Sequence, residues 1–214
     1  ISKTALSAVS ATSSICNACN SLFFGLGTGA GIILANYFGA QKEDKVKRAI
    51  DTSLVFAIVG GILLTIVSEL CVPFLLQITN VNAELFEMAQ SYLRIYFLGN
   101  TAVFMYQMGF FILRSLGDSK HPLYFLVLSS VLNLTLGIFF VRVMNFSVMG
   151  TALATIISQF IVDFFCLRLL FNLDKSIRFD IKNIQFDWKI AKRICSLGIP
   201  AGIQNMMIYV SSMV

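Results

Sequence analysis

The chain has 214 residues, of which 57% are hydrophobic and 13% are charged, with a mean hydropathy of +0.81 and a formal net charge of +5. A water-soluble domain of this length needs more polar residues than this to cover its surface. The composition therefore excludes an ordinary soluble protein and indicates a membrane protein. With a single His, no ATP-binding loop and no Ser-His-Asp arrangement, the sequence does not predict an enzyme.

Six long apolar segments follow one another along the chain and are separated by polar breaks. Their approximate bounds, in chain order, are Ala5–Phe38, Asp51–Leu76, Phe86–Leu113, Pro122–Val143, Val148–Phe171 and Leu197–Val214. A helix rising about 1.5 Å per residue needs about 20 apolar residues to cross about 30 Å of hydrocarbon, and most of the segments are that long. The predicted fold class is therefore all-α, a polytopic bundle of transmembrane helices.

Lys and Arg residues concentrate in every second break. The first break, residues 41–49, holds four of them and the fifth, residues 168–193, holds seven, whereas the second break, residues 77–87, holds none. The positive-inside rule then places the first, third and fifth breaks in the cytoplasm and the start of the chain outside, in a multi-pass protein of the plasma (inner) membrane. No nucleic-acid partner is expected, because the basic residues follow the breaks instead of forming one patch.

The fifth break is longer than the others and has a different composition. Residues 172–193 alternate charged with single apolar residues and end in a segment whose Trp188 suits a surface helix at the level of the lipid headgroups. A new membrane helix is expected to begin at Gly198-Ile199-Pro200. We therefore predict three parts: an N-terminal bundle of five helices over residues 1–171, a basic cytoplasmic linker over 172–193, and the start of a second lobe over 194–214.

Small residues mark the first helix as a packing element. The glycine run at residues 25–31 contains two overlapping pairs of glycines four residues apart, a spacing that lets another helix approach closely. The run also fits a dinucleotide-binding pattern, but no strand precedes it, so no nucleotide cofactor is expected. Cys16 and Cys19 lie in an apolar helix with no second pair and no nearby His, so no metal site is expected there.

Polar side chains recur inside the predicted membrane helices, among them Asn36 on the first and Gln159 on the fifth. Such groups form interhelical hydrogen bonds worth about 0.6 kcal/mol each or line a shared polar cavity, and their number favours a cavity. Two ionisable groups, Glu69 and Asp163, lie deep in predicted helices. A charged group there is costly unless it pairs or faces water, so a role in a transport path, snorkelling towards the membrane surface and interface pairing all stay open.

Five strings occur in a defined order along the chain. They are GAQKEDKVKRA from Gly39, LGDSKHPLY from Leu116, LNLTL from Leu132, MGTALATIISQ from Met149 and LGIPAGIQ from Leu197. The ordered set resembles the multidrug and toxic compound extrusion (MATE) family of transporters. The resemblance implies a two-lobed antiporter of twelve helices, of which this chain would be an internal fragment that covers helices two to six and the start of helix seven.

The resemblance also implies a cation site in the N-terminal lobe. Family members with such a site have the pattern L-N-x-x-L-D in the fifth helix, and the Asn, the Asp and a Thr of the sixth helix surround the ion. Asn133 and Thr155 match the Asn and the Thr, but Gly137 stands in place of the Asp. Coupling would then depend on a group elsewhere. The candidate residues of the cation or substrate pathway are Asn133, Thr155, Asn36, Gln159 and Asp163.

The function implied by the resemblance is secondary active efflux, in which organic, often cationic compounds leave by alternating access in exchange for H⁺ or Na⁺. Its partners would be membrane lipid and a small organic substrate, with no cofactor, and the transporter would be monomeric. Two alternatives stay open. A flippase for lipid-linked saccharides predicts a lipid-facing groove rich in Arg and Lys. A non-transporting membrane subunit that binds partner helices predicts an outward-facing glycine run at residues 25–31 and no connected cavity.

Overall fold

The computed structural model of the chain describes residues 3–78 and 83–211, and the described residues form helices joined by short connections. The helices are α1 (Lys3–Gly39), α2 (Glu43–Ile78), α3 (Ala83–Leu98), α4 (Asn100–Ser115), α5 (Lys120–Ile138), α6 (Ser147–Phe171) and α7 (Trp188–Ser211). A π-helical turn at Phe139–Val143 extends α5, and a 3₁₀ turn at Ile181–Asn183 lies between α6 and α7. The chain start at Ile1 and the predicted helix end at Val214 lie outside the described residues.

The described part of the chain has four helices that could span a membrane, and a fifth span if a bent helix pair is counted as one. α1, α2, α5 with its π-helical turn, and α6 are long and apolar enough to cross a membrane, and the bent pair α3–α4 counts as a fifth span. Large apolar side chains cover the outer faces of α2 and α5, for example Leu70 and Leu134. These observations confirm the predicted all-α membrane bundle. The described part of the sixth predicted span, Leu197–Val214, does not pass the same length and hydropathy test.

The third predicted helix is two helices. α3 and α4 meet at Gly99 with a bend of 48° instead of forming one helix over Phe86–Leu113. α6 packs so close to Gly99 that a methyl group there would overlap the Ile156 side chain. Asn100, fully buried at the bend, donates a hydrogen bond from Nδ2 to Ser68 Oγ on α2 at 3.3 Å. The bend therefore depends on α2 and α6, which are distant in sequence.

The predicted surface helix and the membrane helix after it are one continuous helix. α7 begins at Trp188 and runs through Gly198-Ile199-Pro200, where a new helix start was expected, and across the predicted boundary at residues 193 and 194. A proline inside a helix removes one backbone hydrogen bond and disturbs the preceding turn. The close packing of α7 against α1 around Gly198 holds the two halves of the helix in line in spite of Pro200.

The glycine run on α1 faces the interior of the bundle. Gly25 lies against Gly202 of α7 and Gly29 lies against Gly198, so backbones of two antiparallel helices meet without side chains between them. The other two glycines of the run face the ring of Phe111 on α4. The predicted close helix approach is thus observed, and α1 packs against both α4 and α7. A non-transporting interaction subunit was expected to have this glycine run on its outer surface, whereas the run faces α4 and α7 inside the bundle.

Residues 172–187 are fastened to the start of α2. The Asp51 side chain is fully buried, and its Oδ2 accepts hydrogen bonds from the Gln185 backbone N–H at 3.1 Å and from Lys47 Nζ at 3.3 Å. The Asp187 backbone N–H donates to Thr52 Oγ1 at 3.0 Å. The first and fifth polar breaks therefore lie at the same end of the bundle, as their shared positive charge predicts.

We expect the substitution Gly25→Ala to separate α1 from α7, because its methyl group would overlap backbone atoms of Gly202 and Gly198. Overpacking of this kind costs about 1–3 kcal/mol of stability. The measurement is the thermal unfolding midpoint of the purified protein in detergent, which should fall. The matched control is Gly39→Ala, where a methyl group meets nothing within 4 Å. Equal midpoints for the two variants would contradict the packing described above.

Candidate functional site

Polar side chains meet along the contact between α5 and α6, which run antiparallel. Asn133 Nδ2 on α5 donates to Thr155 Oγ1 on α6 at 2.9 Å. One turn away, Gln159 Nε2 on α6 donates to Ser129 Oγ on α5 at 3.4 Å. We refer to these four residues, Asn133, Thr155, Gln159 and Ser129, as the α5–α6 seam. The seam brings together three of the residues predicted from the sequence, and Ser129 is a partner that the sequence did not indicate.

A cleft of about 440 Å³ opens beside the seam, at the end of the bundle opposite residues 172–187. Asn133 and Thr155 line it together with Gly137, Tyr92 of α3 and Arg142 of the π-helical turn. Thr155 Oγ1 also donates to the Thr151 carbonyl at 3.0 Å, so the hydroxyl accepts from Asn133 while it donates to its own helix. The side-chain oxygen of Asn133, Oδ1, is not used in this hydrogen bond and is available as an acceptor at the cleft wall.

Gly137 leaves room for the carboxylate that is missing from the L-N-x-x-L-D pattern. A Cβ at this position would meet only the Ala154 Cβ, at an ordinary contact distance of 3.9 Å. The position lines the cleft one turn from Asn133, as the spacing of four residues on a helix requires. Packing therefore does not explain the absence of the acid. Among the described residues that line the cleft, Arg142 is the charged one.

The other predicted pathway residues lie outside this cleft. Asp163 is 7% exposed and lies on α6 two turns beyond Thr155, away from the cleft mouth. Asn36 is exposed near the end of α1 and does not line the cleft. Glu69 lies on α2, which contacts neither α5 nor α6 within the described part of the chain.

A second cavity, of about 270 Å³, lies between α1, α4 and α7 and is lined mainly by amide side chains. Asn17 and Asn20 come from α1, Gln107 from α4 and Asn205 from α7. Asn20 Nδ2 donates to Tyr96 OH at 3.0 Å, while its carbonyl oxygen is buried without a partner. Sequence inspection finds each of these amides as a polar group in an apolar helix, but their convergence depends on how three helices pack.

Comparisons with known proteins agree with this architecture. The MatE family model matches residues 1–139. The chain is 27% identical over 202 residues to the probable multidrug resistance protein YoeA of Bacillus subtilis, covering 89% of this chain and 43% of that protein. It is 36% identical over 134 residues to the probable multidrug resistance protein YpnP of the same organism, covering 63% of this chain and 30% of that protein.

A solved structure is similar over nearly the whole chain. It is the inward-facing conformation of a multidrug resistance MATE family transporter of the MOP superfamily, with a TM-score of 0.89, 25% identity, and coverage of 97% of this chain and 47% of that one. The chain thus spans less than half the length of each of these three proteins.

The hydrogen bond between Asn133 and Thr155 should be energetically detectable. We expect a double-mutant cycle of Asn133→Ala and Thr155→Val to give a coupling energy of about 0.6 kcal/mol and at most about 1.7 kcal/mol, the range for hydrogen bonds between membrane helices. The readout is unfolding in detergent or bicelles. Thr135→Val is the matched control, because Thr135 is exposed and its hydroxyl bonds to its own helix. A coupling as small as that between Asn133 and Thr135 would contradict the seam.

Proposed function

Because this chain belongs to the MATE family, we propose that it forms the N-terminal lobe of a secondary active efflux transporter, one that exports organic, often cationic compounds in exchange for H⁺ or Na⁺. The match to the family model confirms the resemblance seen in the sequence, and the relatives named as multidrug resistance proteins support a role in membrane transport. The observation that carries the proposed exchange is the polar cleft beside the α5–α6 seam, inside a bundle whose outer faces are apolar.

A polar cleft at membrane depth has a cost that a purely structural bundle would avoid. Hydrogen bonds between membrane helices contribute little stability, so paired Asn, Thr and Gln side chains are a weak means of holding α5 to α6. The same groups are well suited to replace the hydration shell of a small cation or of a polar substrate group. The Asn133 carbonyl oxygen and the Thr155 hydroxyl at the cleft wall are such ligands.

The amide-lined cavity between α1, α4 and α7 supports a substrate path through the same lobe. Its uncharged donors and acceptors suit an organic molecule with scattered polar groups, and Phe24 adds an aromatic wall. α7 contributes Asn205 to this cavity, and α7 meets α1 closely at two glycine pairs, Gly25 with Gly202 and Gly29 with Gly198. In alternating access, one group of helices moves against another around a site near the middle of the membrane. We propose that α7 connects this lobe to the moving second lobe.

The proposed orientation puts residues 172–187 and the basic residues beside them in the cytoplasm of a cell whose plasma membrane holds the transporter. The contacts of Lys47 and Arg48 with Asn183 and Gln185 keep two positively charged segments at one end of the bundle. Positive charge at that end matches the cytoplasmic side. The transporter is expected to act as a monomer in contact with lipid, and with no cofactor besides the coupling ion.

We expect the whole transporter in proteoliposomes to move ethidium against its concentration gradient when a proton or sodium gradient is imposed. Asn133→Ala should slow this movement, because it removes a ligand at the cleft wall. The matched control, Thr135→Ala, removes an exposed hydroxyl that bonds to its own helix, and transport should be unchanged. If ethidium and other organic cations do not move under either gradient, the proposed function is wrong.

The open position at Gly137 allows a gain-of-function test. We expect Gly137→Asp to place a carboxylate beside Asn133 and Thr155 and to create sodium binding, seen as a sodium-dependent rise in the thermal unfolding midpoint. Gly137→Asn is the matched control, because its side chain has nearly the same shape but no charge. A sodium response of equal size in both variants, or in neither, would show that the cleft is not a cation site.

A further inference from the structure

Asp163 is a buried acidic residue that does not line the cleft beside the α5–α6 seam. The residue is 7% exposed and lies about one turn past the midpoint of α6, and among the described residues it forms neither a salt bridge nor a hydrogen bond. An ionised carboxylate in the middle of a membrane helix costs about 2.5–3.5 kcal/mol unless it pairs or reaches water. A purely structural role would be served better by an apolar residue, so the position calls for a functional explanation.

The register between α4 and α6 puts a tyrosine hydroxyl level with Asp163. Gly99 packs against Ile156, and ten residues later Gly109 packs against Cys166, so α4 and α6 run parallel and in register. Tyr106, three residues before Gly109, therefore lies level with Asp163, three residues before Cys166. The Tyr106 hydroxyl is buried and has no hydrogen-bond partner. A donor without an acceptor thus lies on α4 at the level of a carboxyl group without a donor on α6.

Gln159, in contrast to Tyr106, has a buried hydrogen-bond acceptor without a donor. It lies four residues before Asp163, on the same face of α6, where side chains of successive turns are neighbours. Its Nε2 donates to Ser129, but its Oε1 is buried without a partner. This acceptor needs a donor, and an ionised carboxylate is not one, whereas a protonated carboxyl group is. A rotation of these side chains towards one another would satisfy the unpaired atoms of Tyr106, Gln159 and Asp163 together when Asp163 carries a proton.

We propose that Asp163 is the proton-binding residue of this transporter and that the coupling ion is H⁺. This proposal rests on the proposed efflux function and names its ion. In the protonated state the Asp163 O–H donates to Gln159 Oε1, and the carbonyl oxygen accepts from the Tyr106 hydroxyl. When the proton leaves, the carboxylate keeps the Tyr106 hydrogen bond but loses the bond to Gln159.

The α5–α6 seam connects this group to the cleft. Thr151, Thr155, Gln159 and Asp163 are each four residues apart, so they form one line along α6, with a rise of about 6 Å per step. The line begins at the cleft wall and ends at the buried carboxyl group. Exchange of a proton at Asp163 therefore changes the hydrogen bond of Gln159, whose partner Ser129 lies one turn from Asn133.

The surroundings of Asp163 leave few other groups to take the proton. Within the described ranges, the titratable groups that interact with Asp163 are Tyr106 on α4 and Cys166 on α6. On α5, the pairing of Ser129 with Gln159 puts Phe125 opposite Asp163, and His121, one turn further, binds Asp118. No Lys or Arg among the described residues pairs with the carboxyl group.

The transport test uses the whole protein in sodium-free proteoliposomes with an imposed pH gradient and ethidium as the probe. Asp163→Asn should lose gradient-driven ethidium movement but keep ethidium counterflow, which needs no proton. Asp163→Glu should restore part of the driven movement. Asp44→Asn, which removes an exposed carboxylate at the start of α2, is the control and should behave as the wild type. Driven movement in Asp163→Asn equal to that of the wild type would overturn the proposal while the efflux function stands.

A second measurement does not depend on transport. An infrared pH titration of the reconstituted wild-type protein should show a protonated-carboxyl C=O band that is absent from Asp163→Asn. In Tyr106→Phe the band should shift to higher frequency, because the carbonyl oxygen loses a hydrogen-bond donor. Retention of the full band in Asp163→Asn would assign it to another acid and refute Asp163 as the proton site. A wild type that shows the band but moves no ethidium would instead refute the proposed function alone.

Discussion

The close approach of helices at glycine positions on α1 is the constraint on which the rest of the bundle depends. At Gly25 and Gly29 the backbone of α1 lies so close to the backbone of α7 that a Cβ atom at either position would overlap it. Membrane helices gain little from apolar burial, since lipid is as apolar as a side chain, so tight contact between backbones is a main source of their stability. That contact fixes α7 on α1, and with it the cavity to which Asn205 and Asn17 contribute.

Structural features that depend on one segment of the chain, such as membrane spans, can be predicted from the sequence. Features that depend on packing between several helices cannot. The spans of α1, α2, α5 and α6 follow from length and hydropathy alone. The bend at Gly99 does not, because Gly and Asn inside an apolar run are equally compatible with a straight helix. Pro200 points to a helix start by local rules, yet packing on α1 keeps α7 continuous. In both places tertiary contacts decide the course of the helix: at Gly99 the local sequence leaves it open, and at Pro200 packing overrides a local preference.

The residues of the α5–α6 seam also divide into those that the sequence predicts and those that depend on packing between helices. Asn133 and Thr155 were predicted as partners because the family resemblance pairs them, and the structure places them 2.9 Å apart. No pattern within one helix pairs Ser129 with Gln159, since that contact is set by the register between two helices. Asn36 was grouped with them for its residue type alone. Its position near the end of α1, in the exposed part of the helix, removes it from the seam.

The absence of an acid at Gly137 and the presence of one at Asp163 have different electrostatic consequences. A carboxylate at residue 137 would face the open cleft, where water and a hydrated cation can reach it and where sodium binding is as feasible as proton binding. Asp163 is 7% exposed and away from the cleft mouth, and no Lys or Arg among the described residues forms a salt bridge with it. A bare proton needs one lone pair, whereas sodium needs several oxygen ligands. Moving the acid from the cleft wall into the bundle therefore favours the proton over sodium.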